Sequence, residues 1–277
     1  MSELTVERDG VTLAGLDENE GDGTPIVLLH GLTATRRYVV MGSRSLARDG
    51  HRVLAYDARG HGRSSPAPSP EAYGYELLAA DLAAVLDAAG VEKAVLAGAS
   101  MGAHTLLRFA LDAPERVAGM VVVTPAYDPV TQDDPKRLDT WDALSTGLRE
   151  RGIEGFVEAN RVERMPEAWQ ETVRTVLRQR LAQHDHLDAV ADALHAVPRS
   201  RPFDTLHDLA ELEGIPAVVV ASRDEADPGH PLAIGEAYAA AIPGASLRVE
   251  EEGRSPLAWQ GGQLSRVIAE LAARAAV

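Results

Sequence analysis

The sequence predicts an α/β fold: a mostly parallel central sheet with helices on both faces and a helical lid insertion. Three observations predict it. Short apolar runs recur with helix-patterned segments between them, one run breaks into a small-residue turn around a serine, and about ninety residues between two later runs lack a strong strand signal. Strands buried on both faces of a parallel sheet read as continuous apolar runs, because both sides of each strand are covered.

Each apolar run of strand length is expected to form one strand of the sheet. These runs are 26–29, 53–56, 94–97, 117–123, 217–221 and 247–249. Two of the segments flanking them carry apolar residues at helical spacing: Tyr75, Leu78, Leu82, Val85 and Leu86 in one, and Leu264, Val267, Ile268 and Leu271 in the other. Each of these helices therefore has an apolar face to pack against the sheet.

The stretch between Val123 and Ala217 is too long for a simple connection. Apolar residues recur in it at roughly helical spacing. They are Trp141, Leu144, Leu148, Phe156, Val157, Val162, Met165, Trp169, Val173, Val176 and Leu177. We therefore predict a helical lid at 127–206 and a core formed by 1–126 and 207–277, with most of the lid's apolar residues packing against one another.

Composition narrows the class of protein. The 277 residues carry a formal charge of -15 and include no cysteine. The charge disfavours nucleic acid and anionic membranes as partners, and no apolar run approaches the roughly 18–20 residues of a membrane span. The first residues lack a basic region and an apolar stretch, so we expect no signal peptide and a cytoplasmic location. Composition does not indicate the oligomeric state.

The most informative motif is Gly-Ala-Ser-Met-Gly at 98–102, which follows one apolar run and precedes a helical pattern. A serine on a sharp strand-to-helix turn needs small residues two positions to either side, because its strained backbone leaves no room for larger side chains. Ser100 is therefore the candidate nucleophile.

Three segments, in this order along the chain, resemble the α/β-hydrolase superfamily in its serine-nucleophile branch. They are His30-Gly31-Leu32, the loop Asp-Ala-Arg-Gly-His-Gly-Arg-Ser at 57–64, and residues 98–102. The resemblance covers nearly the whole chain. It implies that the backbone amides of Leu32 and Met101 form an oxyanion hole beside Ser100.

The same resemblance gives the polar residues of the first two segments an architectural role. His30 is expected to shape its loop through backbone hydrogen bonds. Asp57, Arg59 and His61 are expected to stabilise the 57–64 loop, with an Arg–Asp pair holding it together.

In the family, the catalytic acid follows the strand predicted at 217–221. Asp227 fits the family pattern Asp-Pro-x-x-Pro, whereas Asp224 and Glu225 lie nearer the strand end, where the usual offset would place the acid. Asp128 is a further candidate, because some relatives carry the acid after the preceding strand. The sequence favours Asp227 only narrowly.

The histidine that serves these relatives as the base is absent from its usual place. Where they show Gly-His, this chain reads Gly-Arg-Ser-Pro at 253–256, and arginine cannot act as a base near neutral pH. Arg254 could instead hold an anionic group of the substrate. His230, three residues after Asp227, is the first candidate for the base, because its loop neighbours the vacant position.

Other histidines are weaker candidates for the base. His104 follows Ser100 by one helical turn, so its side chain leans back towards the pocket but is expected beside or below the serine. His184 and His186 lie in the predicted lid, where exposure on a charged surface is the expected outcome.

These residues predict a serine hydrolase that forms an acyl-enzyme at Ser100 and acts on a small or medium carboxylic ester, thioester or lactone. We expect a small-molecule substrate, with no cofactor and no metal. Carbon–carbon bond hydrolases and non-hydrolytic members of the fold remain open. The alternative is a catalytically weak or inactive protein that binds a small molecule under the lid, which the arginine at position 254 motivates.

Overall fold

A central sheet organises the protein. The computed structural model describes residues 1–18, 23–223, 229–250 and 259–275, and within them eight strands form one sheet in the order β1-β2-β4-β3-β5-β6-β7-β8. The strands are β1 (Ser2–Arg8), β2 (Val11–Glu18), β3 (Ile26–Leu29), β4 (Val53–Tyr56), β5 (Ala94–Ala99), β6 (Val117–Val123), β7 (Ala217–Ala221) and β8 (Ser246–Val249).

Helices connect most of the parallel strands. They are α1 (Ser45–Arg48), α2 (Tyr75–Ala88), α3 (Met101–Asp112), α4 (Pro135–Ala159), α5 (Glu167–Leu181), α6 (Leu187–Ala196), α7 (Leu232–Ala241) and α8 (Gly261–Ala275). In the part of the chain that the structure describes, none of the helices combines the length and apolarity needed to cross a membrane.

The parallel part of the sheet agrees with the prediction from the apolar runs. From β4 through β3, β5, β6 and β7 to β8, each neighbouring pair is parallel. The antiparallel hairpin β1-β2, which pairs with β4, was not predicted. Its signal is the Asp9-Gly10 turn, where both residues have positive φ (48° and 78°), as two-residue hairpin turns require.

Both faces of the sheet are buried, as continuous apolar strands require. Along β5, Ala94 and Leu96 belong to one hydrophobic cluster and Val95 and Ala97 to another. Helices α2, α3 and α7 contribute to the first cluster, and α1 and α8 to the second. The carboxyl end of β5, where Ser100 follows, is thereby fixed from both sides.

Helices α4, α5 and α6 all lie between β6 and β7, and the residues between these strands are called the helical insertion below. Helix α4 is kinked at Gly152, which has φ 62°. Most apolar residues predicted to pack together here do so, in a cluster that includes Leu144, Leu148, Phe156 and Leu177. The side chain of Leu32 also packs against this cluster. The boundaries 127–206 for a lid stay a prediction.

Candidate active site

Ser100 occupies the one-residue turn between β5 and α3, with φ 51° and ψ -112°. A Cβ atom on Gly98 would lie 2.3 Å from the carbonyl oxygen of Gly102, and one on Gly102 would lie 2.1 Å from that of Leu29. Because both obstacles are backbone atoms, neither can move aside cheaply. The small residues of the motif are therefore a steric requirement of the turn.

The imidazole of His230 contacts Ser100. Its Nε2 lies 2.9 Å from the Ser100 Oγ, within ordinary hydrogen-bond distance. His230 lies just before α7 and is half-buried. The structure therefore brings together the nucleophile and the first base candidate named from the sequence, across 130 positions of the chain.

The carboxyl ends of strands β7 and β8 are adjacent and joined by hydrogen bonds. Strands β7 and β8 pair in parallel, and Glu250 joins the residues that follow β7. Its Oε1 accepts a hydrogen bond from the Ser222 hydroxyl at 3.0 Å and another from the Arg223 amide. The first residues after β7 and the first residue after β8 thus lie side by side at one edge of the sheet.

The candidate acids divide into two groups. Asp224, Glu225 and Asp227 lie outside the described residues, as does Arg254, so their roles stay predictions. Asp128 is described, and its two carboxylate oxygens accept hydrogen bonds from the Val130 amide and the Thr131 hydroxyl, each at 3.0 Å. Asp128 thus stabilises the turn that follows β6.

His104 is buried one helical turn after Ser100 and uses both ring nitrogens for other partners. Its Nε2 accepts from the amides of Ala126 and Tyr127, both at 3.1 Å, so Nδ1 carries the proton and donates to the Tyr75 hydroxyl at 3.0 Å. Burial, with a smaller effect of His230, lowers the pKa of His104 to about 3. The alternative assignment of His104 as the base is wrong for this geometry, since both ring nitrogens serve other partners.

The backbone amides of Leu32 and Met101 lie in the segments that adjoin Ser100. A Cβ on Gly31 would lie 3.4 Å from the Ser100 Cβ, so the loop after β3 passes directly beside the serine. Among the backbone hydrogen bonds of the described residues, neither amide is a donor. The oxyanion-hole role of these two amides stays a prediction.

The loop at 57–64 is held by ion pairs, but not by a pair within the loop. Arg59, 1% exposed, forms two 2.7 Å hydrogen bonds to the carboxylate of Asp81 on α2. Asp57 instead binds the side chain and the amide of Arg36. The expected Arg–Asp pairing exists, but Asp57 and Arg59 each find their ion-pair partner on another segment.

Three buried histidines lie side by side on this flank of the elbow. The ring centroids of His30 and His61 are 5.2 Å apart, and those of His61 and His184 are 5.6 Å apart. His30 accepts from the Ala58 amide at 2.9 Å, which agrees with its expected role in shaping the loop. The expectation of exposure for His184 is wrong, because the insertion folds this residue inward, to 8% exposure. Exposed His186 fits the expectation.

The comparisons identify the family. A family model described as the alpha/beta hydrolase fold matches residues 24–201. The chain belongs to this family. It is 31% identical to a 2-hydroxy-6-oxononadienedioate/2-hydroxy-6-oxononatrienedioate hydrolase of Burkholderia vietnamiensis over 255 residues, covering 89% of this chain and 86% of the relative.

One further relative and one solved structure are also similar to this chain. The α/β hydrolase is 31% identical to a protein named carbamate hydrolase RutD of Variovorax paradoxus, covering 74% of this chain and 75% of the relative. A solved structure of a thermophilic esterase from Thermogutta terrifontis superposes with a TM-score of 0.80 at 25% identity, covering 100% of both chains. These relatives differ in named substrate and share hydrolysis, so this α/β hydrolase is an enzyme of the hydrolase class.

Proposed function

We propose that this α/β hydrolase is a serine hydrolase that cleaves a small or medium carboxylic ester, thioester or lactone through an acyl-enzyme at Ser100. The observation that carries the proposal is the 2.9 Å contact between the Ser100 Oγ and the His230 Nε2. A nucleophile within hydrogen-bond reach of an imidazole is the arrangement that activates serine in hydrolases. The esterase among the structural neighbours supports this substrate class.

The proposed reaction has two halves. As the Ser100 oxygen attacks the substrate carbonyl, His230 takes the hydroxyl proton at Nε2 and then gives it to the departing alcohol or thiol. The resulting acyl-enzyme is attacked by water, whose proton passes to His230 and then returns to Ser100 as the carboxylic acid leaves. In a lactone the leaving alcohol remains part of the acyl chain.

The developing oxyanion would be held by the amides of Leu32 and Met101. A single donor of this kind lowers the barrier by roughly 2.7–4 kcal/mol in enzymes where it has been removed. Met101 is also the first residue of α3, so the positive end of the helix dipole faces the same charge. This stabilisation uses backbone groups only.

Other parts of the proposal concern the substrate and the acid. Asp227 is proposed to orient His230, with Asp224, Glu225 and Asp128 as alternatives, and Arg254 to contact an anionic part of the substrate. The helical insertion is proposed as the lid over Ser100, since Leu32 already packs against its apolar cluster. We place the reaction in the cytoplasm, to which a cysteine-free composition is suited.

A fluorophosphonate probe tests the proposal, because it labels a serine only when that serine is activated. We expect rapid labelling of the wild type, none in Ser100→Ala, and labelling slowed at least about a hundredfold in His230→Ala. His207→Ala, which alters an exposed histidine, is the matched control and should label like the wild type.

The remaining outcomes separate the alternatives. Absence of labelling at any pH favours the hydrolase-fold binding protein. If Ser100 labels but His230→Ala reacts as fast as the wild type, the base assignment is wrong while the serine hydrolase survives.

A further inference from the structure

His184 connects the helical insertion to two loops of the core. It lies between α5 and α6, and its Nε2–H donates to the Thr33 carbonyl at 2.9 Å while its Nδ1 accepts from the Gly62 amide at 2.8 Å. The neighbouring Asp185 amide donates to the Gly62 carbonyl at 2.9 Å. One buried ring therefore fixes the loop after β3 and the loop after β4 at the same time.

The bond to Thr33 acts on a strained part of the chain. Thr33 has φ 65°, a left-handed conformation that β-branched residues rarely adopt, and its side chain is buried. Such a conformation persists only where the surroundings hold it. The carbonyl that His184 holds belongs to the residue directly after Leu32.

The side chain of Leu32 also contacts the helical insertion. Its side chain packs against the apolar cluster of the insertion and also against a second cluster that includes Met101 and Tyr75. The segment that carries Leu32 is thus held by the packing of its side chain against the insertion and by the His184–Thr33 bond at the next residue. Both restraints come from chain segments more than 100 positions away from Leu32.

We propose that His184 is a positioning residue that holds the Leu32 amide in the oxyanion hole through the Thr33 carbonyl. This inference rests on the proposed function of Ser100. It also means that the insertion does more than cover the site, because displacing it would release the Thr33 carbonyl and with it the oxyanion donor.

Two amide substitutions separate the two bonds of the ring. Glutamine places its amide nitrogen three bonds from Cβ, as Nε2 is, so His184→Gln retains a donor for Thr33 and loses the acceptor for Gly62. Asparagine places its oxygen two bonds from Cβ, as Nδ1 is, so His184→Asn retains the acceptor for Gly62 and loses the donor. Each variant loses one hydrogen bond between this side chain and the backbone.

The experiment measures kcat and KM for p-nitrophenyl butyrate together with the free energy of unfolding. We expect His184→Asn to lose about 10- to 100-fold in kcat with KM little changed, somewhat less than the 10²–10³ for removing an oxyanion donor outright. His184→Gln should retain kcat within about threefold. His186→Gln, an exposed histidine two positions on, should match the wild type. Equal losses of kcat in the two His184 variants, or losses that follow the folded fraction, would overturn the proposal.

Hydrogen exchange of the peptide covering 30–35 supplies a readout independent of turnover. His184→Asn should exchange faster there than His184→Gln, and unchanged exchange in both variants contradicts the proposal. If the fluorophosphonate probe does not label Ser100 in the wild type, that result by itself overturns the proposed function. Faster exchange in that case shows that His184 orders the loop but overturns its link to an oxyanion hole.

Discussion

The two flanks of Ser100 use histidine in opposite ways. On the flank formed by α3 and the loops after β3 and β4, His30, His104 and His184 are buried with both ring nitrogens bonded to backbone or to a tyrosine. On the flank formed by the residues before α7, His230 directs its Nε2 at the serine hydroxyl. An imidazole whose two nitrogens are engaged acts as a fixed neutral crosslink, whereas proton transfer needs one nitrogen directed at the reacting group.

The sharpest test of this contrast substitutes one histidine from each flank. His230→Ala should lower kcat by about 10⁴- to 10⁶-fold, as loss of a base does in serine proteases. Its free energy of unfolding should change by about 1 kcal/mol or less, since surface-loop substitutions rarely cost more. Steady-state kinetics and urea unfolding of the same preparations measure both effects.

His104→Gln is the counterpart on the other flank. It should lower the free energy of unfolding by about 1–3 kcal/mol, because the buried Tyr75 hydroxyl loses the donor at the Nδ1 position, while the glutamine oxygen at the Nε2 position can still accept from the amides of Ala126 and Tyr127. Its kcat should stay within about tenfold of the wild type. A larger loss of rate in His104→Gln than in His230→Ala would reverse the two assignments.

The next largest effect is on stability and concerns the buried ion pair between Arg59, in the loop after β4, and Asp81. Asp81→Asn leaves the buried Arg59 guanidinium without its carboxylate, which should cost about 3–5 kcal/mol of unfolding free energy. Asp112→Asn removes the partner of Arg108 in an exposed pair and should cost below about 0.5 kcal/mol. Denaturant midpoints of the two variants measure the difference, and similar costs would show that the buried pair contributes no more than an exposed one.

The smallest expected effect, taken per pH unit, is a change in how steeply stability depends on pH. Burial is the main cause that lowers the pKa of His184 from its usual 6.5 to about 4, so the folded protein keeps this ring neutral where the unfolded chain protonates it. Below pH 6.5 the unfolded state therefore binds more protons, and stability falls as the pH drops towards the folded pKa. Each such group contributes at most about 1.4 kcal/mol per pH unit.

His184→Gln removes this contribution and leaves those of His30, His61 and His104 in place. Between about pH 6.5 and about pH 4, its unfolding free energy should therefore depend less steeply on pH than that of the wild type. Urea titrations at several pH values compare the slopes. Parallel curves would show that His184 is protonated to the same extent in the folded and unfolded states.

The sequence predicted those features that depend on neighbours along the chain. Strand β5, the turn at Ser100 and helix α3 follow from an apolar run and from the small residues at 98 and 102. The steric demand at Gly98 is local, because a Cβ there would meet the carbonyl of Gly102, whereas a Cβ on Gly102 would meet that of Leu29 at the end of β3. The hairpin β1-β2 was missed although its Asp9-Gly10 turn is a local signal.

Only the tertiary structure decided which side chains meet. The sequence named Ser100 as nucleophile and ranked His230 first among several histidines, but the contact between them joins residues 130 positions apart, after β5 and after β7 in the folded sheet. Likewise, Arg59 pairs with Asp81 rather than within its own loop, and His184 is buried rather than exposed. Periodicity and turn chemistry act over a few residues, whereas hydrogen-bond partners more than 100 positions apart are selected by the packing of the whole sheet and its insertion.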